Sequence, residues 1–329
     1  MVWYSRVKVM SNRTRLWIAA IAIAVAGGNG ALAAASRDPC GDSVTQGIPV
    51  RAANAPGGRA FAEEIRNVTD DERESLIRQQ LMAGNLPKFL RRFVPIRLQS
   101  PFPEGKSVDV VICAAPDYLA IGSDDDFLLM PMRLSTALSM ASVYGFTLPT
   151  TRIVDAIYAQ AAVHFVPQPL PAGSEMRSTA YSLRHNELVG MQRTALGVSL
   201  GALVAGDKKD LVLTNRLRSH MDRVAIYGWH SGEGKPIQSL STVHGWRYAD
   251  YSHGARLIST QVFVDGRARS IFNVMQDDQL APALSNEGVI SNVIGLIENL
   301  NARTQAAIVA VVRDLIPAKP VFDIPGTLN

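Results

Sequence analysis

The chain has 329 residues, with 33 lysines and arginines, 29 aspartates and glutamates and six histidines, which is enough for one large domain. Residues 1–35 contain four of the basic residues and none of the acidic ones, so the rest of the chain carries 29 of each sign. This balance argues against a basic surface that binds nucleic acid and against a polybasic segment that binds membranes.

Residues 1–35 have the pattern of a secretory signal peptide. Four basic residues come before or at the start of an apolar run at 16–26, and small residues at 31 and 33 give the spacing that signal peptidase cleaves. The alternative is a membrane anchor, but the run is much shorter than the roughly 20 apolar residues that an anchor needs. We therefore expect an exported protein, periplasmic or extracellular, with no membrane contact after cleavage.

Two cysteines remain after the signal peptide, Cys40 and Cys113. Outside the cytoplasm such a pair most simply forms a disulfide bond. This bond would join an irregular N-terminal arm at 36–60 to a strand predicted around Val110. The alternative is a nucleophilic Cys113 beside a histidine, which the apolar surroundings of Cys113 disfavour because they oppose the thiolate.

The first half of the domain, which we place at 61–329, is predicted to be mainly helical. Thr69 and Glu72 have the spacing of a capping box, and Gly84 is a typical residue at a helix end. Further helices are predicted at 87–93, 135–144, 150–162 and from the residues after Arg184 to about Leu196. An apolar strand is predicted at 108–115, and Asp117 follows it at a strand end, where functional groups collect in open α/β sheets.

The second half is predicted to be β-rich, and its site-bearing part covers about 200–266. Extended segments are predicted at 223–229, 237–243, 247–258 and 261–264, with a turn at Asp265-Gly266 and a C-terminal helix at about 289–315. The fold class is therefore α+β or mixed α/β, a single compact domain with a helical first half, a β-rich second half and a C-terminal helix.

The stretch 226–256 concentrates groups that carry chemistry. It holds three of the six histidines, two of the four tryptophans and several glycines that let a ligand approach the backbone. The candidate catalytic residues are His230, His244, Asp250, His253 and Tyr251. Candidate substrate-binding residues are Arg256, Lys209, Asp117, Trp229 and Trp246, because cations bind carboxylates and indole faces stack on sugar rings.

Two chemistries suit these residues. His244, Asp250 and His253 form a usable zinc set with an open position for water. Without a metal, Asp250 would orient a histidine that acts as a general base. A third interpretation is that the aromatic residues pack in a sheet and the histidines are hydrogen-bonded structural groups.

The pattern from Tyr227-Gly-Trp-His230 to Asp250-Tyr-Ser-His-Gly254, with Pro116-Asp-Tyr-Leu-Ala-Ile-Gly122 upstream, resembles a family of uncharacterised exported bacterial proteins over most of the exported chain. The resemblance implies a shared site and no particular activity. From the residues we expect an exported hydrolase that acts on a cell-envelope or extracellular polymer, peptidoglycan or polysaccharide. The alternatives are a polysaccharide lyase that uses tyrosine and histidine, and a non-catalytic protein that binds glycan or peptidoglycan.

Overall fold

The computed structural model describes residues 38–101 and 107–302. The predicted signal peptide, and the predicted C-terminal helix beyond residue 302, lie outside the described residues. The helices are α1 (Gly58–Glu64), α2 (Asp70–Met82), α3 (Leu134–Tyr144), α4 (Thr151–Gln160), α5 (Thr179–Ala195), α6 (Ile271–Gln276) and α7 (Ala281–Leu284). Residues 293–302 are also helical, and 3-10 turns lie at Asp42–Thr45, Lys88–Arg91, Ser174–Arg177 and Asn215–Arg218.

The strands are mostly short. They are β1 (Val94–Pro101), β2 (Ser107–Ala114), β3 (Ala120–Gly122), β4 (Phe127–Leu129), β5 (Phe146–Thr147), β6 (Val163–His164), β7 (Val204–Ala205), β8 (Lys209–Leu211), β9 (Ile226–His230), β10 (Pro236–Ser241), β11 (His253–Gly254), β12 (Ile258–Val264) and β13 (Arg267–Ser270). Together with the helices they make a mixed α+β fold, which confirms the predicted fold class.

Two sheets dominate the strand arrangement. The first is antiparallel, in the order β1-β2-β12-β13, with β5 paired to the start of β12. The second has the order β10-β9-β8-β11, in which only β11 and β8 run parallel. The apolar residues of β2 are buried from Val110 onwards, as expected for a strand with a neighbour on each side.

Helix ends follow the local sequence signals. The Thr69 side chain accepts a hydrogen bond from the Glu72 amide at the start of α2, and Thr150 does the same for Ile153 in α4. Gly145 ends α3 in the left-handed conformation, with φ of 84°, where glycine carries no side-chain penalty.

Three element predictions are wrong. Helix α5 begins at Thr179, well before Arg184, because Ser178 caps it through the Tyr181 amide. The segment 247–252 forms turns rather than a strand. The predicted arm at 36–60 includes the start of α1, and β1 was not predicted although Val94, Ile96 and Leu98 alternate with exposed residues in it.

The predicted disulfide bond between Cys40 and Cys113 is present. It joins the chain before α1 to strand β2, across a sequence separation of 73 residues. Both cysteines are buried. No helix within 38–101 or 107–302 is long and apolar enough to cross a membrane.

Candidate functional site

Strand β8 positions the candidate site in the second sheet. Lys209 is paired with Gly228 of β9 on one side and with His253 of β11 on the other. Because paired residues of neighbouring strands project from the same face of a sheet, Lys209 and His253 lie side by side. This pairing brings together residues that are 44 positions apart.

A turn before β11 fixes Asp250 beside His253. The Asp250 Oδ1 atom accepts hydrogen bonds from the Ser252 amide at 2.8 Å and from the Ser252 hydroxyl at 2.6 Å, as short side chains do in tight turns. The His253 Nε2 atom lies 3.8 Å from Asp250 Oδ2. That separation exceeds a hydrogen bond.

Burial and local contacts set the charge states of this pair. Burial lowers the pKa of His253 to about 4, so its imidazole is neutral at pH 7. Burial alone would raise the pKa of Asp250, but the nearby His253 and the hydrogen bonds from Ser252 outweigh it and lower that pKa. Neither ring nitrogen of His253 has a hydrogen-bond partner among the described residues. The pair is therefore a neutral imidazole beside an ionised carboxylate.

Tyr248 and His244 lie between this pair and the surface. The Tyr248 hydroxyl donates to Asp250 Oδ2 at 2.9 Å. Its ring stacks on His244 at a centroid distance of 4.1 Å and meets His253 edge-on at 5.7 Å. Both Tyr248 and His244 are half-buried. Burial, followed by the Asp250 charge, raises the pKa of Tyr248 and keeps its proton in place.

Lys209 and Trp229 complete this group. The backbone of β9 is distorted at Gly228, with φ of 108°, and at Trp229, with φ of 54°. The Trp229 ring packs under the Lys209 ammonium, with Nζ 4.8 Å from the ring centroid. Trp229 is only 7% exposed, and its Nε1 atom has no partner among the described residues.

His230 does not join this group, contrary to the prediction. Its Nε2 atom lies 3.0 Å from Asp155 Oδ1, and its ring stacks on Tyr158 at 4.4 Å. The Tyr227 hydroxyl donates to the same Asp155 oxygen at 2.8 Å. In a regular strand, His230 would project from the same face as Lys209, because Lys209 pairs with Gly228. The left-handed backbone at Trp229 interrupts this alternation, so the Trp229 ring meets Lys209 and His230 meets Asp155.

Three other predicted site residues, Tyr251, Asp117 and Arg256, make contacts that connect segments of the interior. The Tyr251 hydroxyl accepts a hydrogen bond from the Leu170 amide at 2.7 Å, away from His253. Asp117 is buried in an ion pair with Arg193 at 2.5 Å, so its charge is already paired.

Arg256 is also structural rather than substrate-binding. It is fully buried, and its guanidinium donates to the carbonyl groups of Ala115, after β2, and Val204, in β7. It also lies over the Tyr118 ring at 4.3 Å. These contacts use both terminal nitrogens of the guanidinium to connect segments of the interior, and the side chain is fully buried, with Nε lacking a partner among the described residues.

The predicted zinc ligands are not arranged as a ligand set. Within 38–101 and 107–302, no group of three or more His, Cys, Asp or Glu side chains is placed to hold a metal ion. The reason lies in the other contacts of these residues: His244 stacks on Tyr248, and Asp250 accepts hydrogen bonds from Tyr248 and Ser252.

Sequence reasoning missed a buried charged layer beneath the site. The Lys208 ammonium donates to the Tyr251 carbonyl at 2.5 Å, and burial lowers its pKa to about 8. Burial, together with the neighbouring Asp117, raises the pKa of Asp207 to about 7. Burial lowers the pKa of His185 to about 2. In the sequence, Asp207 and Lys208 lie in a charged run between Gly206 and a short strand. This pattern is typical of an exposed turn, so it does not predict their burial.

Comparison with known proteins adds no assignment: no protein-family model, no curated protein and no solved structure matches this chain. The geometry of the group formed by His244, Tyr248, Asp250, His253 and Lys209 therefore carries the functional argument. We call this group the His253 site.

Proposed function

We propose that this protein is an exported hydrolase that cleaves bonds in a cell-envelope or extracellular polymer, peptidoglycan or polysaccharide. The observation that carries the proposal is the neutral His253 imidazole, buried beside the Asp250 carboxylate and without a hydrogen-bond partner among the described residues. A buried polar group without a partner is costly. Its retention beside an ionised carboxylate favours a catalytic role over a packing role.

In the proposed mechanism His253 removes a proton from the attacking water. Asp250 stabilises the imidazolium that forms, as the carboxylate does in serine protease triads. The Lys209 ammonium is next to His253 in the sheet and stabilises the negative charge that develops on the attacked group. The proton then passes from the imidazolium to the leaving group.

The groups present favour an amide or ester bond within such a polymer. Glycoside hydrolases usually place two carboxylates on opposite sides of the scissile bond. The His253 site instead couples one carboxylate, Asp250, to an imidazole and adds a lysine. This set matches water activation and charge stabilisation in acyl-group hydrolysis.

The lyase alternative has weaker support. Such an enzyme would use a tyrosine near a histidine, and Tyr248 stacked on His244 meets that description. However, the hydroxyl of Tyr248 is bonded to Asp250, and its raised pKa opposes its use as a base. The binding-protein alternative is also weaker, because Lys209 covers a face of Trp229 and the Arg247 guanidinium lies 5.1 Å from the Trp246 ring centroid.

Export is part of the proposal. The predicted signal peptide and the buried disulfide bond both support it, because disulfide bonds persist mainly outside the cytoplasm.

The test compares His253→Gln with His220→Gln on purified peptidoglycan and on a panel of acidic and neutral polysaccharides. His220 is exposed and lies outside the His253 site, so it is the matched control. We expect the parent and the control to release soluble fragments with new amino or carboxyl groups, and His253→Gln to be slower by about a hundredfold or more.

The products separate the alternatives. An unsaturated product that absorbs ultraviolet light would replace the hydrolase with the lyase. Binding without turnover, unchanged by His253→Gln, would replace it with the binding protein.

A further inference from the structure

The His253 site contains several hydrogen-bond donors that lack acceptors. The Lys209 ammonium has no carboxylate or carbonyl oxygen within bonding distance in the described parts of the chain and contacts only the face of Trp229. The indole Nε1 of Trp229 is buried without a partner, and so are both ring nitrogens of His253. The one N–H of a neutral imidazole faces Asp250 in the proposed mechanism, so the open donor groups are the Lys209 ammonium and the Trp229 indole.

The acceptors in the same place are already occupied. Asp250 accepts from Tyr248 at one oxygen and from the amide and hydroxyl of Ser252 at the other. The Lys208 ammonium adds a second positive charge in the layer below, and it acts on Asp250 as well. Asp207 and Asp117 also act on Lys208, so Lys209 is the lysine here whose ammonium forms no ion pair with a carboxylate among the described residues.

On this basis we infer that the substrate of the His253 site presents an anionic oxygen group, a carboxylate or a phosphate, to Lys209 and Trp229. An acceptor-rich anion would supply the oxygens that these donors lack, and charge-assisted hydrogen bonds of this kind are the strong ones. The inference rests on the proposed function because it assumes that the bound molecule is a substrate, but anion binding can be measured without turnover.

The two sources of the anion can be distinguished with small probes. One arm uses N-acetyl-alanyl-alanine, which ends in a carboxylate, against its neutral C-terminal amide. The other arm uses inorganic phosphate. Binding is followed by isothermal titration and by the fluorescence of Trp229 in a Trp246→Phe variant of the exported chain, whose other two tryptophans lie in the predicted signal peptide.

We expect at least one anion to bind and the neutral amide to bind about tenfold more weakly or not at all. Lys209→Met keeps the length of the side chain and removes its charge, and it should weaken anion binding about tenfold. The control is Lys235→Met, because Lys235 is 79% exposed and pairs only with the exposed Glu233. It should bind like the parent.

Equal binding of the carboxylate and its amide, together with no phosphate binding, overturns the inference. Unchanged anion affinity in Lys209→Met overturns it as well. Polymer hydrolysis without anion preference would leave the proposed function standing alone, whereas anion binding that depends on Lys209, without turnover of any polymer, would leave only the inference. Carboxylate binding alone assigns acidic peptides or uronates as the source, and phosphate binding alone assigns phosphate-bearing polymers.

Discussion

The burial of His253 predicts a specific pH dependence of stability. In the unfolded chain a histidine takes up a proton near pH 6.5, whereas burial lowers the pKa of His253 in the folded protein to about 4. The folded state therefore binds fewer protons between these values. The contribution of His253 to the free energy of unfolding is complete above pH 6.5 and is lost as the pH falls towards 4.

The size of this loss follows from the two pKa values. A decrease from 6.5 to about 4 corresponds to about 3 kcal/mol for a group as fully buried as His253. Substitution of His253 by glutamine removes the titrating group and keeps a polar side chain of similar size. The stability advantage of the parent over His253→Gln should therefore shrink by about 3 kcal/mol between pH 7.5 and pH 4.

Urea unfolding at four or five pH values measures this difference directly. Other titrating groups, such as Asp207 and His185, are present in both proteins and largely cancel in the comparison. His220→Gln is the control, because His220 is exposed and its removal should give a difference that stays flat. A constant difference between the parent and His253→Gln across this range would refute the assignment of His253 as a buried neutral imidazole.

Three further changes have expected outcomes. Replacing Cys40 and Cys113 by alanine opens a loop with a separation of 73 residues, and the free energy of unfolding should fall by about 4 kcal/mol in urea titrations. Gly254→Ala would place a Cβ atom 2.5 Å from the Tyr118 ring, so the melting temperature should fall, with a stability loss of about 1–3 kcal/mol. Tyr248→Phe removes a hydrogen bond to the proposed catalytic carboxylate and should slow hydrolysis about tenfold or more.

Each of these has a control or a contrary outcome. Gly190 lies inside α5 with no atom within 4 Å of an added Cβ, so Gly190→Ala should stabilise the protein by about 0.5–1 kcal/mol. Equal effects of Gly190→Ala and Gly254→Ala would contradict the close approach of Tyr118. A double-alanine variant as stable as the parent would contradict the expected effect of loop closure. Unaltered hydrolysis in Tyr248→Phe would remove that residue from the mechanism.

The predictions that succeeded depended on short-range signals. A capping residue acts on an amide three positions away, as Thr69 and Thr150 do, and a glycine ends a helix through its own φ, as Gly145 does. The Asp265-Gly266 turn between β12 and β13 belongs to the same class, with both residues at positive φ. The disulfide bond could be predicted because only one pairing of the two remaining cysteines exists.

The predictions that failed depended on tertiary context. Density of histidine in the sequence grouped His230 with His244, Asp250 and His253, but only the last three lie around Tyr248 in the structure. The left-handed conformation of Trp229 separates His230 from them, and a tryptophan gives no local signal of that conformation. Arg256 was expected at a surface site because arginine is rarely buried, and only the positions of two distant carbonyl groups explain its burial.

The unusual backbone at Trp229 has a consequence for how this protein tolerates sequence change. Strand β9 places the Trp229 indole against Lys209 and the His230 imidazole against Asp155. The backbone conformation of Trp229 alone separates these two environments. Left-handed backbone is costly for a bulky side chain, so relaxation to an extended conformation would exchange the neighbours of both rings at once. A substitution of Trp229 would therefore change the surroundings of Lys209 and of Asp155 together.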